Sequence, residues 1–375
     1  MQRCWILLGI LWCHQVMASY DVCTLHQCVD VVDVGSTGSR LHTYVYDLDQ
    51  NNQPVNIFEH YVHRVSPGLA TLTLDQNIIN SYMDDLFAGS SEISIPVYVY
   101  ATAGMRLRSG DEQAGYYKAL RSWFAAHPGL ELKDARTISG TLEGVFAWLA
   151  VNETLGTLRA ENPSYAGVMD VGGASTQVVF ALKNLQDIPR KDVVEFDLYG
   201  KHIALFSHSF LGLGIREVSH RFQNQAVCFP TGYPLPEFGM GQGNADTCQE
   251  TVSNELNATY DVQKIVQPVL LVNPSDSWVV LGAVSGMLQT FPFLNNEFSL
   301  RELLESSNNL RCNPIWTDLQ GQYPEDKDLY SSCLLGAYYY ALTVNGYGFN
   351  PKQKIHYSSS IQQSDWTLGT VLRLA

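Results

Sequence analysis

Charged side chains are scarce in this chain: Asp, Glu, Lys and Arg make up 16% of its 375 residues, against about 25% in an average soluble domain. Basic residues are the scarcer kind. With 23 Lys and Arg against 37 Asp and Glu, the formal net charge is −14, which argues against nucleic acid as a partner. No internal run is apolar and long enough to span a bilayer, which takes roughly twenty residues. The most hydrophobic stretch, Val266 to Leu288, is interrupted by Asn273, Pro274, Ser275 and Asp276. No Cys-x-x-Cys occurs, and no His pair with ligand spacing stands beside the cysteines, which argues against a structural zinc site. The chain also lacks G-x-x-x-x-G-K-[ST], G-x-S-x-G and H-E-x-x-H, and Gly212-Leu213-Gly214 runs on without the third glycine of a dinucleotide fingerprint. A P-loop, a serine hydrolase, a zincin and a dinucleotide-binding unit are therefore poor readings.

What is present is the composition of a compact protein of about two domains: 46% hydrophobic residues, 11% aromatics, 29 Gly and 15 Pro. Arg3, the apolar run Cys4 to Trp12 and Val16-Met17-Ala18 have the pattern of a secretory signal peptide over residues 1–18, cleaved before Ser19. Export would leave six cysteines in a compartment where disulfides form: Cys23, Cys28, Cys228, Cys248, Cys312 and Cys333. Fifteen pairings are open to six cysteines. Cys228 with Cys248 and Cys312 with Cys333 are the favoured pairs, each closing a loop of about twenty residues. The expectation is a secreted or periplasmic monomer with no stable membrane anchor.

Two segments repeat one pattern. Val29 to Val34 reads as a strand, followed by the turn Gly35-Ser36-Thr37-Gly38-Ser39 and a second strand from Leu41 to Tyr46. Ala166 to Val171, the turn Gly172-Gly173-Ala174-Ser175-Thr176 and Val178 to Leu182 do the same 137 residues later. That separation is a domain length, so the pair reads as an internal duplication. Between the copies lie an extended segment Ile95 to Tyr100, a helix Asp111 to Ala126, and a second helix from Thr141 to about Asn152. Strands alternating with helices predict an α/β architecture. Ala226 to Asn257, with Pro, Gly and two cysteines, reads as a stapled insertion outside the core. The segments Leu334 to Leu342 and Ile361 to Leu374 read as helical or mixed.

A turn of Gly, Ser and Thr after a strand aims backbone N–H groups and hydroxyls at one point, which suits phosphate oxygens. Asp33 and Asp170, each at a strand end, are the hard oxygen ligands that a phosphate-bound Mg²⁺ or Ca²⁺ takes, often through water. A single such turn is usually a hairpin with Asx-turn chemistry. Two copies with two carboxylates can clamp a polyphosphate and its cation.

Four motifs in order, Val32 to Arg40, Val99 to Arg106, Ile138 to Trp148 and Gly167 to Gln177, resemble the first four apyrase conserved regions. The chain resembles the nucleoside triphosphate diphosphohydrolases, or ecto-apyrases, from about residue 29 onward, with further matches at His208 to Gly214 and Ser364 to Gly369. The resemblance implies a two-lobed actin-like α/β fold with two ribonuclease H-like domains flanking a nucleotide cleft. It assigns residues 19–144 with about 358–375 to lobe one and 145–357 to lobe two. It implies removal of the γ- and then the β-phosphate of nucleoside tri- and diphosphates with Mg²⁺ or Ca²⁺, leaving the monophosphate without a phosphoenzyme.

By motif position Glu143 is the general base, and Ser175 and Gln177 orient the attacking water. Asp33 and Asp170 hold the cation through waters. Gly35, Ser36, Thr37, Gly38, Ser39 and Arg40, with Gly172, Gly173, Ala174 and Ser175, cradle the phosphates. Thr102 and Arg106 belong to the second motif, where a guanidinium suits a terminal phosphate. Asn152 has two readings, a residue near the metal waters or a glycosylation acceptor in Asn152-Glu153-Thr154; Asn257-Ala258-Thr259 is a second sequon. Trp366 and Tyr347 are candidates to stack on a base, with the cluster Tyr338, Tyr339 and Tyr340 nearby in sequence. Val284 to Gln289 and Leu213 depart from the aromatics many members carry there, so base recognition is not transferred. Without the resemblance, Glu143 is an acid in the first turn of a helix, serving the macrodipole or a capping box. Two other readings stand beside this one: an exopolyphosphatase or guanosine-polyphosphate phosphatase, and a slow actin-like nucleotide switch.

Overall fold

The computed structural model describes residues 22–90, 94–357 and 366–374. The expected leader over residues 1–18, and Ser364 and Asp365 of the last motif, lie outside the described residues. The chain divides into two compact units, one of the residues up to Ser139 with those from Thr367, the other Gly140–Trp366. The division falls five residues earlier than the 144/145 boundary read from the motifs, so Glu143 stands in the second unit.

The first unit holds a sheet of β1 (Gln27–Val34), β2 (Ser39–Leu48), β3 (Pro54–Val65), β4 (Pro96–Ala101) and β5 (Glu131–Thr137) in the order β3-β2-β1-β4-β5. Central β1 runs antiparallel to β2 and parallel to β4. Val32, Val34 and Leu41 pack with Ile79 and Leu86 of the helix Gln76–Leu86 and with Leu120 and Trp123 of the helix Gly110–Ala126. On the opposite face the Tyr44 hydroxyl meets Thr367 Oγ1 at 2.7 Å, fixing the helix Trp366–Leu374 to this sheet. A strand covered on both faces reads as a continuous apolar run, which is why β1 was legible as a strand. The helix Gly110–Ala126 begins on a capping box of Ser109 and Glu112.

The second unit holds β6 (Gly167–Val171), β7 (Ser175–Ala181), β8 (Val193–Leu198), β9 (Lys201–Leu211), a small hairpin β10 (Pro234–Leu235) and β11 (Gly239–Met240), then β12 (Trp278–Gly282), β13 (Glu297–Ser299) and β14 (Lys354–His356). The main sheet has the order β13-β14-β12-β6-β7-β9-β8. Within it, β9-β7-β6-β12-β14 repeats β3-β2-β1-β4-β5, including an antiparallel hairpin beside a parallel neighbour at the centre. The duplication read from two turns therefore extends to five strands.

The pairs Cys228–Cys248 and Cys312–Cys333 are both formed, and Cys23 bonds Cys28. The segment 226–257 is not an insertion outside the core. Its helix Ala245–Tyr260 buries Ala245, Cys248, Val252 and Leu256 on one stripe, alongside Cys228 and Phe229. The Gly, Pro and Cys content ahead of the helix masks this helical spacing.

One buried acid lies on the helix-covered face of the first sheet. Asp30, 1% exposed, accepts a hydrogen bond from Thr43 Oγ1 at 2.6 Å. Desolvation pushes its carboxyl up to about 7, outweighing the lowering by Thr43. The folded state thus binds a proton that the unfolded state, with a carboxyl near 4, has released, so stability falls as pH rises from about 4 to about 7. Asp30→Asn keeps the acceptor for Thr43 and carries no charge. It should raise stability at pH 7.5 by roughly 2 kcal/mol and flatten the melting temperature between pH 4 and 7. An unchanged slope in thermal melts across that range would contradict this.

Candidate active site

In each unit the predicted loop and the turn after its parallel neighbour leave the same sheet edge. Val34 is level with Ala101 on β4, and Val171 is level with Gly282 on β12. The carboxyl ends of parallel strands are where ligands bind in open α/β sheets. Both hairpins close on one bond, Gly35 N–H to the Gly38 carbonyl and Gly172 N–H to the Ser175 carbonyl, each 3.0 Å. Asp33 faces Arg40 across the first hairpin and Asp170 faces Gln177 across the second.

In the first unit, buried Asp33 accepts from Arg40 Nη1 at 3.3 Å. Ser36 is buried and Thr37 exposed at the loop tip. The Thr102 N–H donates to the Val34 carbonyl at 3.1 Å. A Cβ on Gly104 would stand 2.8 Å from Ser36 Cα, so the turn after β4 lies directly against the loop. Arg106 ends that turn, with Nη1 donating to the Ile138 carbonyl at 3.1 Å. Ser39 is a correction: it is fully buried and its Oγ accepts from the Tyr82 hydroxyl at 2.9 Å, on the helix-covered face. It closes the hairpin and does not present its hydroxyl with the loop.

In the second unit the helix Gly140–Thr154 covers the face carrying Asp170, Gln177 and Val179. Glu143 lies in its first turn, 7% exposed. The next residue fixes the helix height. A Cβ on Gly144 would come within 2.7 Å of Ser207 Oγ and 2.8 Å of Val179 Cγ2, and Ser207 Oγ donates to the Thr141 carbonyl at 2.8 Å. At that height the Gln177 amide nitrogen reaches Glu143 Oε2 at 3.1 Å, Ser175 Oγ at 2.8 Å and Ser209 Oγ at 3.0 Å. An amide nitrogen carries two hydrogens, so three acceptors compete for them, and the carboxylate, which only accepts when ionised, sets the orientation of the amide. The expected trio Glu143, Ser175 and Gln177 is brought together.

Ser209 was missed. Ser207 and Ser209 alternate with Phe206, His208 and Phe210 on β9, and small polar residues at every second position of a strand signal a face in contact with polar partners. Gly282 leaves the room that Asp170 occupies. At φ 75 it has a backbone suited to glycine, and a Cβ there would stand 2.7 Å from Asp170 Oδ1 and overlap the Val171 carbonyl oxygen.

Two candidates, Asn152 and Tyr347, are not with the loops. Asn152 is fully buried, its Nδ2 donating to the Trp148 and Ala166 carbonyls and its Oδ1 accepting from Ala166 N–H and Thr157 Oγ1. Four bonds saturate the side chain, leaving nothing for metal waters or a glycan. Tyr347, 1% exposed, lines a cavity of about 260 Å³ with Ser275 and Trp278. Trp278 starts β12, about 13 Å along the strand from Gly282, so Tyr347 lies toward the wrong end of the sheet to meet the loop. Tyr338, Tyr339 and Tyr340 are core residues of the same unit. Trp366 is buried and stacks on Phe146, one turn beyond Glu143, with centroids 6.2 Å apart.

Each unit supplies one carboxylate, Asp33 or Asp170, at an equivalent strand end. Among the described residues no group of three or more His, Cys, Asp and Glu gathers as a metal cage. A carboxylate at a strand end beside a Gly-rich turn fits, in either unit, a hydrated Mg²⁺ or Ca²⁺ carried with phosphate, which such ions bind through one or two carboxylates and several waters. No helix among the described residues is long and apolar enough to cross a membrane.

Among known proteins, the chain is 26% identical to bovine ectonucleoside triphosphate diphosphohydrolase 1 over 92% of its own length and 80% of that protein. It is 27% identical to the chicken ectonucleoside triphosphate diphosphohydrolase 8, covering 92% and 82%. A guanosine-diphosphatase of Schizosaccharomyces pombe is 33% identical over 53% of this chain and 38% of its own. A solved structure of nucleoside triphosphate hydrolases from Neospora caninum shares the fold at a TM-score of 0.66, with 16% identity and 92% of each chain covered. A Ppx/GppA family member from Aquifex aeolicus shares it at 0.54, with 16% identity, covering 93% of this chain and 97% of that one. These neighbours bear out the α/β, actin-like fold class that the duplicated sheet carries. Over residues 24–375 the sequence matches the GDA1/CD39 (nucleoside phosphatase) family, and the chain belongs to it.

Proposed function

We propose that the protein hydrolyses nucleoside tri- and diphosphates to the monophosphate and inorganic phosphate, as a secreted apyrase. The observation that carries this reading is the Glu143–Gln177 hydrogen bond, made on the sheet face that also carries Asp170 and next to the loop Gly172 to Ser175. A carboxylate held beside a phosphate loop by an amide that also reaches a loop serine is a water-activating arrangement, not merely a helix-capping one.

Ser175 and Gln177 orient a water, and Glu143 takes its proton as the water oxygen bonds to the terminal phosphorus. The bridging P–O bond breaks opposite, its electron pair leaving with the shortened nucleotide. Backbone N–H groups of the two loops, with Arg40 and Arg106, offset charge on the phosphoryl oxygens. A bound Mg²⁺ or Ca²⁺, held through water by Asp33 and Asp170, would neutralise phosphate charge. The relatives named above as triphosphate diphosphohydrolases and guanosine-diphosphatase support nucleotides as the substrate class. The three disulfides support an oxidising destination.

The test is phosphate release by purified protein from ATP, ADP, AMP and inorganic polyphosphate with Mg²⁺ or Ca²⁺. Release from ATP and ADP but not AMP is the expected result. Release from polyphosphate alone would replace the apyrase with a polyphosphatase, and one slow turnover followed by tight ADP retention would replace it with a switch protein.

A further inference from the structure

Both phosphate loops are backed by a glycine that no shared motif connects. β3 ends at Val65 and β9 at Leu211, and three residues beyond each stand Gly68 and Gly214. β3 and β9 hold the same place in the duplicated strand order. Their following segments, Ser66-Pro67-Gly68-Leu69 and Gly212-Leu213-Gly214-Ile215, align at the glycine and at the aliphatic residue after it.

Neither glycine is needed for its backbone angles. Gly68 has φ −62 and ψ 138, Gly214 φ −73 and ψ 156, extended values open to most residues. What each requires is space. A Cβ on Gly68 would stand 2.5 Å from the Ser36 carbonyl oxygen and 2.9 Å from that of Gly35. A Cβ on Gly214 would overlap the Gly173 carbonyl carbon and the Ala174 amide nitrogen.

The approach has a chemical consequence. In the second unit the carbonyls of Gly172, Gly173 and Ala174 accept from the N–H groups of Ile215, Arg216 and Gly212 at 2.9, 2.9 and 2.8 Å. In the first, the Gly35 and Ser36 carbonyls face Gly68. Within a trans peptide the C=O of one residue and the N–H of the next point in opposite directions. Turning two successive carbonyls toward the glycine therefore turns the N–H groups of Ser36 and Thr37, and of Gly173 and Ala174, the other way. It also withdraws carbonyl oxygens that would repel a phosphate.

We infer that Gly68 and Gly214 are positioning residues, a duplicated brace that sets the N–H face of each phosphate loop; this rests on reading the loops as phosphate cradles. A methyl group at either position displaces the loop peptides by an appreciable fraction of an ångström. Misplacement on that scale costs roughly 100-fold in catalytic efficiency.

The test compares Gly68→Ala, Gly214→Ala and, as a control, Gly241→Ala. A Cβ at Gly241 overlaps the Pro230 carbonyl oxygen and stands 2.9 Å from that of Phe229, an equal steric insult in the disulfide-stapled segment. Thermal melts, kcat and KM for ATP, and calorimetric affinity for a non-hydrolysable ATP analogue with Mg²⁺ are measured on each. The brace variants should bind the analogue at least 10-fold more weakly and lose about 100-fold in kcat/KM. Gly241→Ala should be destabilised with kcat and KM unchanged. Wild-type affinity in folded Gly68→Ala and Gly214→Ala, while wild-type turnover and the loss in Glu143→Gln both stand, overturns the brace alone. Failure of both alanine variants to fold assigns the glycines to the fold and also overturns it. Wild-type protein that binds no nucleotide refutes the phosphate reading itself.

Discussion

Glu143→Gln should lower kcat for ATP by roughly 10³-fold, equivalent to about 4 kcal/mol of barrier, while affinity for a non-hydrolysable ATP analogue stays within about threefold. The substitution is nearly isosteric. The new amide oxygen can still accept from Gln177, whose nitrogen lies 3.1 Å from Glu143 Oε2, so the loop and the strand behind it keep their geometry. What is lost is a group able to accept a proton. The competing account gives the opposite signature. If the acid in the first turn served only the helix macrodipole, a term of about 0.3–1 kcal/mol, Gln would leave kcat unchanged and lower the melting temperature. Because Glu143 is 7% exposed, a neutral amide there is easier to bury, and the melting temperature should hold or rise. Near-normal turnover in a folded variant would remove Glu143 from the chemistry. Ser175→Ala should cost less than Glu143→Gln, because Gln177 still orients the water.

The two Asp loops were legible because strand-turn-strand with Gly, Ser and Thr is a local pattern, and its recurrence 137 residues later gave the duplication. The helix carrying Glu143 was legible from its apolar spacing. The brace was not, since Gly68 and Gly214 share almost no flanking sequence and meet their loops only through the pairing of β3 with β2 and of β9 with β7. Asn152 misled because a sequon is local, whereas two of the four bonds that saturate it come from Ala166, fourteen residues away. Tyr347 misled differently. An aromatic residue signals burial or stacking equally well, and only the register of β12 on β6, with Trp278 level with Gly167, puts it at the far end of the strands from Asp170. Long-range register decided each of these cases, and register is fixed by tertiary pairing rather than by the residues flanking the site.

Chelation should abolish turnover, lowering phosphate release by at least about 10³-fold, with Mg²⁺ or Ca²⁺ restoring it. The argument is one of charge. The chain carries a formal −14, and each loop assigned to the phosphates adjoins a strand-end carboxylate, Asp33 or Asp170. A carboxylate and a phosphate oxygen about 4 Å apart repel by roughly 4 kcal/mol at the effective dielectric of a protein surface. Arg40 cannot offset this alone, because it already forms an ion pair with Asp33 at 3.3 Å. A divalent cation bound by both groups would replace that repulsion with two attractions. Asp170→Asn should therefore raise the cation concentration for half-maximal activity by about 10-fold, one decade per 1.4 kcal/mol lost, with a smaller change in kcat once the metal is saturating. Asp33→Asn should do the same and in addition release Arg40, so its KM for ATP should change less than that of Asp170→Asn. Full turnover after exhaustive chelation, with metal content below about one ion per hundred chains, would end the metal role of both aspartates. It would leave the Glu143 prediction standing, because in the proposed mechanism the base acts on water held by Ser175 and Gln177 and not on the cation.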